Sequence, residues 1–69
     1  MVTWQPTLWS AEGNELTATA AAPHPDGKRT VYGSRKIKVP PEGFGLDELA
    51  RTLNKLERCA RKRAEKDLE

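Results

Sequence analysis

The sequence predicts an α+β fold, in which a three-stranded antiparallel sheet is followed by one long C-terminal amphipathic helix that packs on one sheet face. Turn-forming Gly, Asn, Asp and Pro residues separate three β-prone segments, and the C-terminal third has the apolar period of a helix. A chain of 69 residues is close to the lower size limit for one apolar core. We therefore expect a single small domain over 1–69 whose stability is marginal or shared with a partner.

The first two strands are predicted over about 2–10 and 15–22. The first mixes β-branched and aromatic residues but contains Pro6, which cannot donate to a ladder and so favours a sheet edge or a bend. The second alternates Leu or Ala with Thr, although its many Ala residues leave a helix over 16–22 as an alternative. The Gly and Asn residues over 11–14 predict the turn between these strands.

The third strand is predicted over about 29–39, after a turn that contains Asp26 and Gly27. Because side chains alternate along a strand, this segment has two different faces. One parity is apolar and contains Val31, Ile37 and Val39. The other is basic with one aromatic residue and contains Tyr32, Lys36 and Lys38.

The helix is predicted over about 46–66, with Asp47 and Glu48 in the first turn, as the helix dipole favours. At about 100° per residue, an apolar side and a basic side lie opposite each other. The apolar side contains Leu46, Leu49, Leu53, Leu56, Ala60 and Ala64. The basic side contains Arg51, Lys55, Arg58, Lys62 and Lys66. Such a helix would be about 33 Å long, so we expect its last turns to project beyond the sheet, fray or meet a partner.

Composition excludes several classes of function. One cysteine, Cys59, allows no internal disulfide, and one histidine, His24, leaves no plausible zinc ligand set. We therefore predict no enzyme activity, no cofactor and no metal site. The sequence contains no apolar run long enough for a membrane span, so we expect a cytoplasmic protein that does not enter membranes. The first 27 residues contain no Lys or Arg, so any surface that attracts anions is C-terminal.

The segment 24–29, with the sequence HPDGKR, joins two predicted strands, and an amphipathic helix follows. In this pattern the chain resembles the N-terminal arm-binding domains of phage and transposon tyrosine recombinases, and the similar AP2-type modules. The resemblance implies a sheet that enters the DNA major groove with the helix behind it, and an origin in a phage or mobile element. It also implies that Tyr32, Lys36 and Lys38 read DNA, while Lys28 and Arg29 contact phosphate.

Charge clustering and the resemblance together predict a small non-enzymatic protein that binds duplex DNA through a basic sheet face and the basic helix end. Like charges four residues apart repel, so an acidic partner would stabilise the helix stripe, although an ordinary solvated face stays an alternative. The predicted DNA-binding residues are Lys28, Arg29, Tyr32, Lys36, Lys38, Arg58, Lys62 and Lys66.

The alternative function is a small phage-type inhibitor or adaptor that binds an acidic host protein. Trp4 and Trp9 have opposite parity, so only one can face the core of a regular strand, and we predict Trp4 inside and Trp9 exposed as the partner-binding residue. The spacing of the apolar helix residues also fits a short coiled coil, so a homodimer is possible. Packing of these residues on the chain's own sheet is the preferred prediction.

Overall fold

The computed structural model describes residues 2–68, so Met1 and Glu69 of the predicted domain lie outside the described residues. The sheet is antiparallel with the order β1-β2-β3, and its strands are Leu8–Glu12, Glu15–Pro23 and Thr30–Lys38. The helix α1 spans Leu46–Glu65, and a 3-10 turn over Lys66–Leu68 continues it. Since α1 packs on one face of β2 and β3, the predicted α+β fold is confirmed.

The first strand lies later in the chain than the predicted 2–10. Residues 2–7 form no strand, because Pro6 interrupts the pairing, and β1 then continues to Glu12. The preceding segment still follows the sheet, since the backbone N–H of Gln5 donates to the carbonyl oxygen of Ala21 at 2.9 Å. Trp4 from this segment is half-buried and packs against the core, as predicted.

The two turns differ in length. Glu12 lies opposite Glu15, and Gly13 has a φ of 59° while Asn14 has no positive φ, which matches a two-residue type II′ turn. The second connection is the longer loop 24–29, closed by a hydrogen bond of 2.9 Å from the N–H of His24 to the carbonyl oxygen of Arg29. The hairpin predicted around Asp26 therefore has a six-residue loop in the structure.

The centre of the helix-facing side of the sheet is made of small residues. On β2 this side contains Leu16, Ala18, Ala20 and Ala22; their β3 partners are Ile37, Arg35, Gly33 and Val31. The register is continuous through Gly33, so β3 contains no bulge there. Ala18, Ala20 and Ala22 are buried under Leu56, Ala60 and Ala64 of α1. Burial under the helix explains why an Ala-rich segment forms a strand, despite the low strand propensity of Ala.

The part of α1 that covers the sheet differs from the prediction. Its last turns are the buried ones, since Ala60 and Ala64 have no exposed surface, whereas Leu46 is 88% exposed. The predicted apolar side is therefore correct from Leu49 onward but does not include Leu46. The last turns do not project beyond the sheet, because the close approach at Gly33 places the C-terminal half of α1 over it. The first turn extends beyond the sheet instead. That the last turns meet a partner stays a prediction.

Candidate nucleic-acid interface

Lys and Arg side chains line the side of α1 that lies next to β3, and we call this surface the basic flank. Helical spacing places Lys55, Arg58 and Lys62 along one side of α1, and together with Cys59 they line a shallow cleft. A second cleft joins Lys55 to Arg35 and Lys38 of β3. The basic flank consists of Arg35, Lys55, Arg58, Lys62, Arg63 and Lys66.

Arg63 connects the basic flank to the sheet. Its Nη1 donates a hydrogen bond of 2.9 Å to the backbone oxygen of Ser34. Because β3 is an edge strand, alternate backbone groups point away from the sheet, and Arg63 provides a donor for one of them. The guanidinium thus closes part of the exposed edge and holds the end of α1 beside β3.

The charges of the basic flank have no ion-pair partner among residues 2–68. Within residues 2–68, none of its Lys or Arg side chains forms an ion pair with a carboxylate. Arg58 and Lys62, and Lys62 and Lys66, are like-charged neighbours four residues apart, an arrangement that destabilises a helix. Apart from Arg63, which donates to Ser34, the flank therefore presents positive charges to which an anion can bind without displacing an ion-pair partner within residues 2–68.

The outer face of the sheet, opposite α1, carries less net charge than the sequence suggested. Tyr32, Lys36 and Lys38 share this face, as their parity predicts. However, Lys36 Nζ lies 3.8 Å from a carboxylate oxygen of Glu15, and Glu12 is the cross-strand neighbour of Glu15. Two acidic residues therefore accompany two lysines, and hydroxyl side chains occupy much of the rest of the face. These hydroxyl residues are Ser10, Thr17, Thr19 and Ser34.

The loop that carries Lys28 and Arg29 is held by its own hydrogen bonds. Nη2 of Arg29 lies 3.0 Å from Nε2 of His24, and the backbone N–H of Asp26 donates to Nδ1 of the same ring at 3.1 Å. Nδ1 also lies 3.3 Å from Oδ2 of Asp26. The backbone N–H of Lys28 donates to Oδ1 of Asp26 at 2.8 Å. This hydrogen bond, with the charges of His24 and Arg29, lowers the pKa of Asp26. Arg29 is thus partly engaged inside the loop, whereas Lys28 is exposed.

Arg61 lies on the other side of α1 and binds the N-terminal segment. Its guanidinium carbon is 5.4 Å from the centroid of the Trp4 ring, a cation–π contact, and Nη2 lies 3.4 Å from Oε1 of Glu57. The hydroxyl of Thr7 donates to Oε2 of Glu57 at 2.6 Å. These contacts fix the chain before β1 against the helix, so Arg61 has a structural role and is not part of the basic flank.

The predicted DNA-binding residues do not form one surface. Arg58, Lys62 and Lys66 belong to the basic flank, and Arg29 and Tyr32 line a cleft with Lys66 and Asp67 at its end. Lys38 borders the cleft at the end of β3 but shares the outer face with Lys36. Lys28 and Lys36 lie apart from the flank. The predicted set omits Arg35, Lys55 and Arg63. Arg35 could have been found from the sequence, because it is the only charged residue in the apolar parity of β3.

The predicted partner-binding residue lies on the opposite edge of the sheet. All five residues of β1 are exposed, and Trp9 is 43% exposed.

Among residues 2–68, no helix is both long enough and apolar enough to span a membrane. The same residues contain no group of His, Cys, Asp and Glu side chains placed to hold a metal ion. Comparisons of the chain with protein-family models, curated proteins and solved structures give no match.

Proposed function

We propose that the protein binds DNA through its basic flank, by contacts to the phosphate backbone. The observation that carries this proposal is a set of Lys and Arg side chains along one side of α1 without a carboxylate partner within residues 2–68. Phosphate binding releases condensed counterions from DNA and relieves the repulsion between like charges on α1. Both effects favour a polyanion over a single anion.

The basic flank is a better candidate surface than the outer face of the sheet. The resemblance to arm-binding domains directs DNA to the outer face, where Glu12 and Glu15 accompany Lys36 and Lys38. Carboxylates beside a phosphate would repel it, which favours the flank as the main contact. The resemblance also implies an origin in a phage or mobile element, and we include that origin in the proposal.

Fluorescence anisotropy with a labelled oligonucleotide tests the proposal. We expect the logarithm of the affinity to fall linearly with the logarithm of salt concentration, with a slope of about −0.9 for each neutralised phosphate of a duplex or about −0.7 for a single strand. Lys55→Ala and Lys62→Ala should each reduce this slope by about 1. Lys36→Ala, which removes an outer-face lysine paired with Glu15, is the matched control and should change the slope less.

Two results would contradict DNA binding through the flank. The first is the absence of binding at low salt, which would exclude DNA as a partner. The second is a loss in Lys36→Ala as large as the loss in Lys62→Ala, which would move the contact to the outer face. Thermal unfolding of each variant, followed by circular dichroism, verifies that the folded population is the same in every titration.

A second candidate function, binding of a host protein, is favoured by the exposed edge at β1. Leu8 is 65% and Trp9 is 43% exposed, and β1 contains no Lys, Arg or Pro to prevent pairing with another strand. A partner strand, from an adaptor target or a second copy, could extend the sheet there. A pull-down after nuclease treatment should then retain one stoichiometric protein, and Trp9→Ala should release it. Light scattering reports a homodimer directly.

A further inference from the structure

A cleft with an apolar floor lies where α1 passes the end of β3, at one end of the basic flank. Its volume is about 250 Å³, slightly below the usual range for small-molecule sites. The floor is formed by residues from β3, the following loop and α1, which are buried or half-buried. These floor residues are Ile37, Pro40, Phe44, Leu56 and Cys59.

Charged side chains form the rim of this cleft. Arg35 of β3 and Lys55 of α1 line it, both are exposed, and within residues 2–68 neither is paired with a carboxylate. Lys38 also borders the cleft, but it shares the outer face with its cross-strand neighbour Glu15. An apolar floor with a cationic rim is complementary to a ligand that has a flat apolar part and negative charge on either side. An unpaired nucleobase between two phosphates has this chemistry.

We propose that the cleft accepts one unpaired base of a DNA strand whose phosphates lie on the basic flank, so that the protein prefers single-stranded to duplex DNA. This inference rests on the proposed function and adds the strand state of the ligand. A base inside a duplex is stacked and paired, and moving it into the cleft would cost a few kcal/mol. The position of the cleft within the flank favours a base over an acidic peptide, because the same strand can continue along Arg58 and Lys62.

Cys59 provides a test in the unmodified protein, because it is the only cysteine and it lines the cleft. We would measure its rate of alkylation by N-ethylmaleimide in the presence of saturating oligothymidine. An abasic oligonucleotide of the same length, a matched duplex and a Glu-rich peptide with one Phe are compared at equal occupancy. We expect oligothymidine to slow the reaction several-fold more than each of the others.

A pair of variants tests the same cleft by affinity. Phe44→Ala removes the aromatic part of the floor and should weaken oligothymidine binding roughly five-fold or more, with little change for the abasic strand. Leu46→Ala is the matched control, because Leu46 is nearby in sequence, 88% exposed and absent from the cleft. It should bind both strands as the parent does.

The possible results separate this inference from the proposed function. Equal protection of Cys59 by oligothymidine and by the abasic strand would overturn base binding while phosphate binding stands. Stronger protection by the peptide would reassign the cleft to an acidic protein segment. Failure of every oligonucleotide to bind at low salt would contradict the proposed function itself.

Discussion

Two tryptophans near the N-terminus have different surroundings, because Trp4 lies in the segment before β1 and Trp9 lies in β1 itself. Trp4 packs against both groups of buried core residues and contacts the Arg61 guanidinium. Trp9 is on the edge strand β1 and is 43% exposed. The buried core contains mainly alanines, so one large side chain that covers its open side contributes a substantial share of the apolar burial.

We expect Trp4→Ala to destabilise the protein by about 2 kcal/mol or more, below the range for fully buried Trp because Trp4 is half-buried. Trp9→Ala should change the free energy of unfolding by about 0.5 kcal/mol or less, as is usual for surface positions. Urea denaturation followed by circular dichroism measures both. Equal losses in the two variants would contradict the assignment of Trp4 to the core.

A residue-level prediction concerns Asp26, whose pKa is lowered from its ordinary value of 3.8. The backbone N–H of Lys28 is the main cause, and the charges of His24 and Arg29 add to it. A lowered pKa means that folding stabilises the ionised carboxylate of Asp26 relative to its protonated form. The stabilisation is therefore present above 3.8 and is lost as the pH falls through the lowered pKa.

The variant Asp26→Asn retains the oxygen that accepts from Lys28 but removes the charge. We expect it to be less stable than the parent at neutral pH and equally stable at acid pH well below 3.8. An NMR titration of the Asp26 carboxyl carbon should show a midpoint below 3.8 in the folded protein. A midpoint at or above that value would contradict the loop geometry.

At the scale of elements, the distance between α1 and β3 depends on Gly33. A Cβ added to Gly33 would overlap the backbone oxygen of Ala60 and the backbone nitrogen of Ala64, and would lie 3.0 Å from the Cα of Ala64. These are backbone atoms, so the overlap could be relieved only by moving the helix away from the strand. The absence of a side chain at Gly33 and the small side chains of Ala60 and Ala64 thus set the helix position.

We therefore expect Gly33→Ala to destabilise the protein by about 3 kcal/mol, near the upper end of overpacking effects. Gly45→Ser is the matched control, because among residues 2–68 no atom beyond the two chain neighbours lies within 4 Å of a Cβ there. Gly45 is the N-cap residue of α1 and makes no side-chain hydrogen bond to the helix, so Ser at this position should stabilise α1 by a few tenths of a kcal/mol. Thermal unfolding measures both changes. A Gly33→Ala variant as stable as the parent would contradict the close packing.

At the scale of the whole molecule, charge is distributed unevenly. The N-terminal 27 residues have no Lys or Arg, and the net charge of +2 comes from basic residues in the remainder. The basic flank concentrates much of this excess on one side of the fold. Like charges in this flank repel each other, and either salt or a bound polyanion reduces that repulsion.

We expect added sodium chloride to raise the melting temperature by a few degrees, since relief of about 1 kcal/mol shifts a domain of this size by about 4–8 °C. Lys62→Gln removes like-charge contacts with Arg58 and Lys66 and should reduce this salt effect. Lys36→Gln should not reduce it, because Lys36 is paired with Glu15. A melting temperature that falls with salt in the parent would contradict a dominant repulsion on the flank.

Local patterns in the sequence were sufficient to predict the fold class and the basic side of the helix. The parity of β3 separates Val31 and Ile37 from Tyr32 and Lys36, and the structure has the same separation. The start of β1 was predicted less accurately, because the residues before it leave the strand pairing and Trp4 packs against the core. The candidate site was predicted only in part, since Arg35 joins the flank through the packing of α1 on β3.

The sequence by itself determined the elements, their order and the amphipathic character of α1, because these depend on the spacing of side chains along the chain. Only the tertiary structure decided which end of α1 projects, because that depends on the close approach at Gly33. It also decided which charges remain unpaired, since Glu15 reaches Lys36 across the sheet while no carboxylate within residues 2–68 pairs with Lys62. Contacts between residues distant in sequence control both features.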